Sequence, residues 1–212
     1  MGYVKYQHIK TIIGYRWFHN LPEDWFKTWE EALEPIKESP VLFLEGVPKN
    51  LEDYMNTVDA ETITGDKLLA KFKENGSFLN IVSRESIAQL LKQKPRPTIL
   101  YLDKNKFESS ISREVYMLTT IILRLKEYDK PDQNIGYIVG NYHTEAFKMV
   151  LESLTNINVV LRPAGHLPEN LIPLSKKIKD PERITVLKRE VTTALKNPQK
   201  EPCYHQESQD IL

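Results

Sequence analysis

Three short stretches of this chain hold side chains able to do chemistry. Pro40-Val41-Leu42-Phe43-Leu44-Glu45-Gly46 is a run of four apolar residues followed by one carboxylate. Ser112-Arg113-Glu114-Val115-Tyr116-Met117 opens a helical segment with an arginine, and Ile135-Gly136-Tyr137-Ile138-Val139-Gly140-Asn141-Tyr142-His143 is an apolar run closing in Gly-x-x-His. Carboxylate and imidazole groups on the loops that leave buried strands stand where α/β proteins place their chemistry. Neutral imidazole and carboxylate also bind a divalent metal with positions left open for water, and the metal lowers the pKa of that water towards neutrality. Metal-assisted hydrolysis is the reaction these residue types suit. Gly14 to His19 and Asp103 also follow predicted strands and would join the same crevice if the strands are parallel. Plainer roles exist for each. A histidine after a strand is commonly a hydrogen-bonded loop residue, an arginine at a helix start commonly forms an ion pair, and Asp103-Lys104-Asn105-Lys106 is a polar turn that needs no further role. Trp17, Trp25 and Trp29 are read as core or interface packing.

Elements that would hold these residues alternate along the chain. Thr11-Ile12-Ile13-Gly14 is a short β-rich run, and Asn20-Leu21-Pro22-Glu23-Asp24 caps a predicted helix in which Trp25, Phe26, Trp29, Leu33 and Ile36 recur at three- and four-residue spacings. Strands are predicted at 41–44, 77–82, 97–102, 135–139 and 159–161. Helices are predicted at about 50–58, 65–75, 83–94, 110–128, 144–154 and 181–195, with Gly76 as a stop signal. Strand and helix alternate over residues 10–162, which predicts an α/β fold: a mostly parallel sheet with helices on both faces, then an extra C-terminal helix and a polar tail. A single domain is expected over 1–195, with its core at about 10–162 and a flexible tail over 196–212.

Composition narrows the partners. A 212-residue chain can bury roughly 70% of its unfolded surface as one domain. Its 29 basic residues balance 29 acidic ones, so no overall field draws it to nucleic acid. The single cysteine, Cys203, excludes an intramolecular disulfide and a cysteine-based zinc cluster. No apolar leader opens the chain, and its longest greasy stretch, Tyr116 to Leu125, is too short to span a bilayer. A soluble, cytoplasmic protein is expected, acting on a peptide or small molecule, with self-association left open.

The order of these motifs resembles the TraB/PrgY group and its Tiki relatives. In that family an N-terminal strand ends in Gly-x-x-His, a second strand ends in a glutamate, an arginine opens a helix with Tyr-Met shortly after, and a later strand ends in Gly-x-x-His. Leu44-Glu45, Arg113-Glu114-Val115-Tyr116-Met117 and Gly140-Asn141-Tyr142-His143 match the last three. The first departs, because in Gly14-Tyr15-Arg16-Trp17-Phe18-His19 the histidine comes five residues after the glycine. If the loop bulges, His19 reaches the site; otherwise Tyr15 or Arg16 takes the family position and one metal ligand is lost. Ala164-Gly165-His166-Leu167-Pro168 offers His166 as a minor alternative. The resemblance implies metal-dependent hydrolysis of a peptide or other acyl bond. His19, Glu45 and His143 would hold Mn, Co or Zn, and Glu45, Arg113 and His143 would act in catalysis, Arg113 by stabilising the oxyanion or locking Glu45. The alternatives are a non-catalytic scaffold that lost the first histidine motif and a metal-dependent nuclease built on Glu45 and Asp103.

Overall fold

A computed structural model describes residues 4–17, 33–77, 81–103, 110–163 and 180–197. Five strands, β1 (Thr11–Trp17), β2 (Val41–Pro48), β3 (Thr98–Asp103), β4 (Ile135–Gly140) and β5 (Asn158–Pro163), make one sheet in the order β3-β2-β4-β1-β5. Every pairing is parallel. Six α-helices accompany them among the described residues: α1 (Glu52–Thr57), α2 (Gly65–Glu74), α3 (Ile81–Leu91), α4 (Ser110–Arg124), α5 (Asn141–Leu154) and α6 (Pro181–Lys196). The predicted α/β fold is the observed one.

Alternation along each strand sorts the core into two layers. Ile12, Phe43, Leu100, Leu102, Tyr137 and Val139 face one side and pack with Leu118, Ile122, Phe147, Val150 and Leu187 of α4, α5 and α6. Tyr15, Leu42, Leu44, Ile99 and Ile138 face the other and pack with Met55, Leu68, Phe72 and Leu91 of α1, α2 and α3. With both faces covered, the strands appear in the sequence as unbroken apolar runs. Each fully buried aliphatic or aromatic side chain contributes about 1.5–3 kcal/mol, and this is what fixes the helices that carry polar groups at their ends. One close approach within the sheet depends on glycine: a Cβ on Gly14 would lie 2.5 Å from Tyr137 Cζ and 2.8 Å from Leu161 Cδ2.

Side chains also serve the rims of the sheet. On β3, Asn56 accepts from the Ile99 N–H at 2.8 Å and donates to its carbonyl at 2.7 Å, while Glu52 accepts from the Tyr101 N–H at 2.8 Å. On β5, Glu152 accepts from the Val159 N–H at 2.9 Å and Lys148 donates to the Val159 carbonyl at 2.5 Å.

Three boundaries differ from those predicted. Residues 81–82, expected in a strand, begin helix α3; short β-branched apolar runs fit either period. Helix α5 starts at Asn141, directly after β4, so His143 sits in a first helical turn rather than on an exit loop. β2 continues to Pro48 through a register shift after Leu44, so Glu45 lies within the strand. The predicted helix over 20–36 falls largely on residues outside those described; Leu33 and Ile36 at its end are buried. Trp25, Trp29 and most of the predicted tail also lie outside them. Among the described residues no helix is long and apolar enough to cross a membrane.

Candidate functional site

From β2 the chain goes to β3 on one side, and from β4 it goes to β5 on the other. β2 and β4 are neighbours, so the chain leaves them in opposite directions, and in a parallel sheet the binding crevice opens outside the carboxyl ends of such a pair. Glu45 and Gly140 stand at those two ends.

Glu45 follows Val41 and Phe43 on the face covered by α4 and α5, and it is buried. The register shift beside it is carried by Gly46, whose φ of 88° is open to glycine and rarely to other residues. Both Glu45 oxygens have partners: Oε2 accepts from the Gly140 N–H at 2.5 Å, and Oε1 lies 2.8 Å from Arg113 Nη2. The carboxylate thus joins the two strands across the reversal.

Arg113, in the first turn of α4, forks onto Asp103 at the end of β3. Its Nε lies 2.9 Å from Oδ1 and its Nη2 2.6 Å from Oδ2. Asp103 Oδ2 also accepts from the Gly46 N–H at 2.7 Å. Burial alone would lower the guanidinium's pKa, but its bonds to Asp103 and the charge of Glu45 outweigh that and hold it above its ordinary value. Arg113 is therefore a fixed cation, with 31% of its side chain exposed.

His143 Nδ1 lies 2.5 Å from Glu114 Oε1, and its Nε2 lies 3.8 Å from Glu45 Oε1, beyond hydrogen-bonding range. Glu114 is almost wholly enclosed, and Arg183 of α6 forks onto it, with Nε 3.2 Å from Oε2 and Nη2 on Oε1. The guanidinium also lies over the Tyr142 ring, 4.1 Å from its centroid. The result is a line of alternating groups: Asp103, Arg113, Glu45, His143, Glu114, Arg183. An imidazole held through Nδ1 by a carboxylate is oriented for proton transfer at Nε2.

Three of the residues singled out in the sequence, Glu45, Arg113 and His143, are thus brought together. Asp103, which could join the crevice or form only a polar turn, is buried at the end of β3 beside the cluster and is half of a bidentate ion pair. Glu114 appeared only as a motif letter and Arg183 not at all. The signal for Arg183 was a basic residue in a helix's first turn, where the macrodipole disfavours it.

His19 and His166 lie outside the described residues. β1 nevertheless bears on the first motif, because Trp17, its last residue, pairs with Gly140 in register. Counted from that shared level, His19 comes two residues later and His143 three. Gly14 lies three positions deeper and makes room for Tyr137, so it is not the counterpart of Gly140. Tyr15 is buried with its hydroxyl 2.9 Å from Ser39 Oγ, and burial pushes its pKa up to about 12. Arg16 pairs with Glu145. Neither takes part in the cluster.

A metal ion demands more than the described donors supply. His143 Nε2 and Glu45 Oε1 are close enough to share one, but Oε1 also holds Arg113, and catalytic zinc sites use three protein ligands. Among the described residues no group of three or more His, Cys, Asp or Glu side chains forms a metal site. Glu45 and Asp103 do not form a nuclease-type carboxylate pair either, since Arg113 stands between them. Compared with protein-family models, curated proteins and solved structures, the chain matches none. The likeness to TraB/PrgY and Tiki proteins accordingly rests on the motif residues themselves.

Proposed function

We propose that this chain is a hydrolase of the TraB/Tiki-like type, acting on a peptide or other acyl bond at the carboxyl end of β2 and β4. One observation carries the reading: His143 is held through Nδ1 by buried Glu114 while Nε2 makes no direct hydrogen bond with Glu45, beside the fixed charge of Arg113. In this scheme His143 Nε2 takes a proton from the attacking water and returns it to the leaving group. Glu114 keeps the ring in place and offsets the charge it gains. Arg113, the more exposed cation of the cluster, meets the negative charge that develops on the acyl oxygen. Glu45 ties β2 to β4 and holds Arg113 at the mouth.

A second reading, a non-catalytic scaffold, is favoured by the saturation of Glu45, whose two oxygens are both taken by protein partners. The two readings separate in one experiment. Purified protein and its His143→Ala variant are assayed against a panel of fluorogenic peptides and esters, alongside metal analysis of both proteins and of His19→Ala. Turnover that disappears in His143→Ala with an unchanged fold supports the hydrolase. Equal, background-level signals from both proteins sink it and favour the scaffold. Metal retained by wild type and lost from His19→Ala would place the missing donor at His19.

A further inference from the structure

We infer that Arg183, on the C-terminal helix, is a positioning residue of this site: through Glu114 it fixes the ring of His143. The inference rests on the proposed role of His143 and extends the site to a helix that none of the motifs covers.

The position of Arg183 is locally unfavourable. Helix α6 is capped by Asp180, whose side chain accepts from the Glu182 N–H at 3.0 Å, and Pro181 occupies its first position. Arg183 is the third residue of that turn, where the macrodipole opposes a cation. Its Nη1 is buried and lacks a hydrogen-bond partner among the described residues. A helix selected only for packing would place an acidic or neutral side chain there, and local rules are broken where a function requires it. What Arg183 gains is Glu114, on which its Nε and Nη2 close as a fork.

The linkage then runs in one direction. Glu114 is 1% exposed, and a buried carboxylate facing only a neutral imidazole would be poorly compensated. With the guanidinium forked onto its far side the carboxylate is paired and held in place, and its Oε1 meets His143 Nδ1. Ile184, Leu187, Val191 and Ala194 pack α6 against the α4 and α5 layer, with Leu187 one turn beyond Arg183 on nearly the same face, so the arginine is delivered by a rigid element. Its stacking on Tyr142, the residue before His143, fixes the same turn of α5 from outside.

The test compares wild type, Arg183→Met, Arg183→Lys and a packing control, Leu187→Ala, on the full chain at one pH. Long-range 15N NMR of the imidazoles reads which ring nitrogen of His143 carries the proton, a signal that needs no substrate. In wild type a single ring form with the proton on Nδ1 is expected; Arg183→Met should average the two nitrogens, Arg183→Lys should restore part of the pattern, and Leu187→Ala should lower the melting temperature without changing it. On any acyl substrate found, Arg183→Met should lower kcat about tenfold at unchanged KM. A wild-type ring pattern in Arg183→Met, or the same change in Leu187→Ala, overturns the inference. Should Arg183→Met fail to fold, Arg183→Gln takes its place in the ring measurement. If wild type turns over no substrate, the hydrolase reading fails and the ring pattern alone decides the positioning role.

Discussion

Helix α4 carries two arginines on nearly the same face, Arg113 and Arg124, about three turns apart. Each closes on a glutamate whose carboxylate also accepts a backbone N–H. Arg124 Nη1 meets Glu52 Oε2 at 2.5 Å, that oxygen accepts from the Tyr101 N–H, and the guanidinium lies 5.0 Å from the Tyr101 ring centroid. There, among the described residues, the contacts end on backbone, on an aromatic face, on the Tyr128 side chain and on Glu127 at the surface. The Arg113 cluster does not stop: from Glu45 it passes to an imidazole with one nitrogen held by Glu114 and the other 3.8 Å from Glu45, then to a second carboxylate and a second arginine. Buried ion pairs look alike at their centre. What separates a structural pair from a working one is where its line of contacts ends.

Substitutions should divide the two clusters cleanly. The largest effect is expected from His143→Ala, a fall of at least about a hundredfold in kcat/KM with the thermal midpoint unmoved; full activity in that variant would erase the distinction between the two clusters. The mirror-image experiment is Arg124→Met, which should cost about 1–3 kcal/mol in chemical denaturation, because Glu52 keeps its charge without its partner, and leave kcat alone. A double-mutant cycle between Glu45 and Arg113 sharpens the comparison further. Coupling of about 1–2 kcal/mol in stability, matched by a larger coupling in activity, would mark that pair as serving both; coupling in stability alone would return it to the structural class.

The smallest effect concerns pH. Asp129 is slightly desolvated, which raises its pKa, but the N–H groups of Ile9, Gln7 and His8 donate to it and together lower it below the usual value. Its contribution to stability is therefore complete above the unfolded pKa of about 4 and is lost as pH falls through the lower folded value. Wild type and Asp129→Asn should differ modestly in urea midpoint at pH 7 and converge in strong acid. A gap that widens on acidification would contradict the assignment.

The sequence was informative where burial and period agree. Continuous apolar runs located β2, β3, β4 and β5, because strands covered on both faces have no polar side to interrupt them. The residues where those runs end, Glu45 and His143, were visible for the same reason. Asp103 was legible as a crevice residue or a polar turn but not as the partner of Arg113, which is brought to it only when α4 packs on the sheet. Glu114 and Arg183 are 69 residues apart and meet only because α6 folds back on α4; no local pattern records that. Residues 81–82 misled because a pair of β-branched residues carries too little period to choose between strand and helix. Gly14, the reference point of the first histidine motif, lies three positions inside the end of β1, where the ring of Tyr137 occupies the space a Cβ would need.

The side chains along the two outer strands have a consequence for how copies of this molecule can meet. A parallel sheet grows by offering the free N–H and C=O groups of its outermost strand to another chain. Here the rungs at Ile99 and Tyr101 on one margin and at Val159 on the other are already occupied by Asn56, Glu52, Glu152 and Lys148. A second chain would have to displace these side chains before docking at those rungs. Among the described residues, growth of the sheet is thus hindered at two rungs of one margin and at one rung of the other.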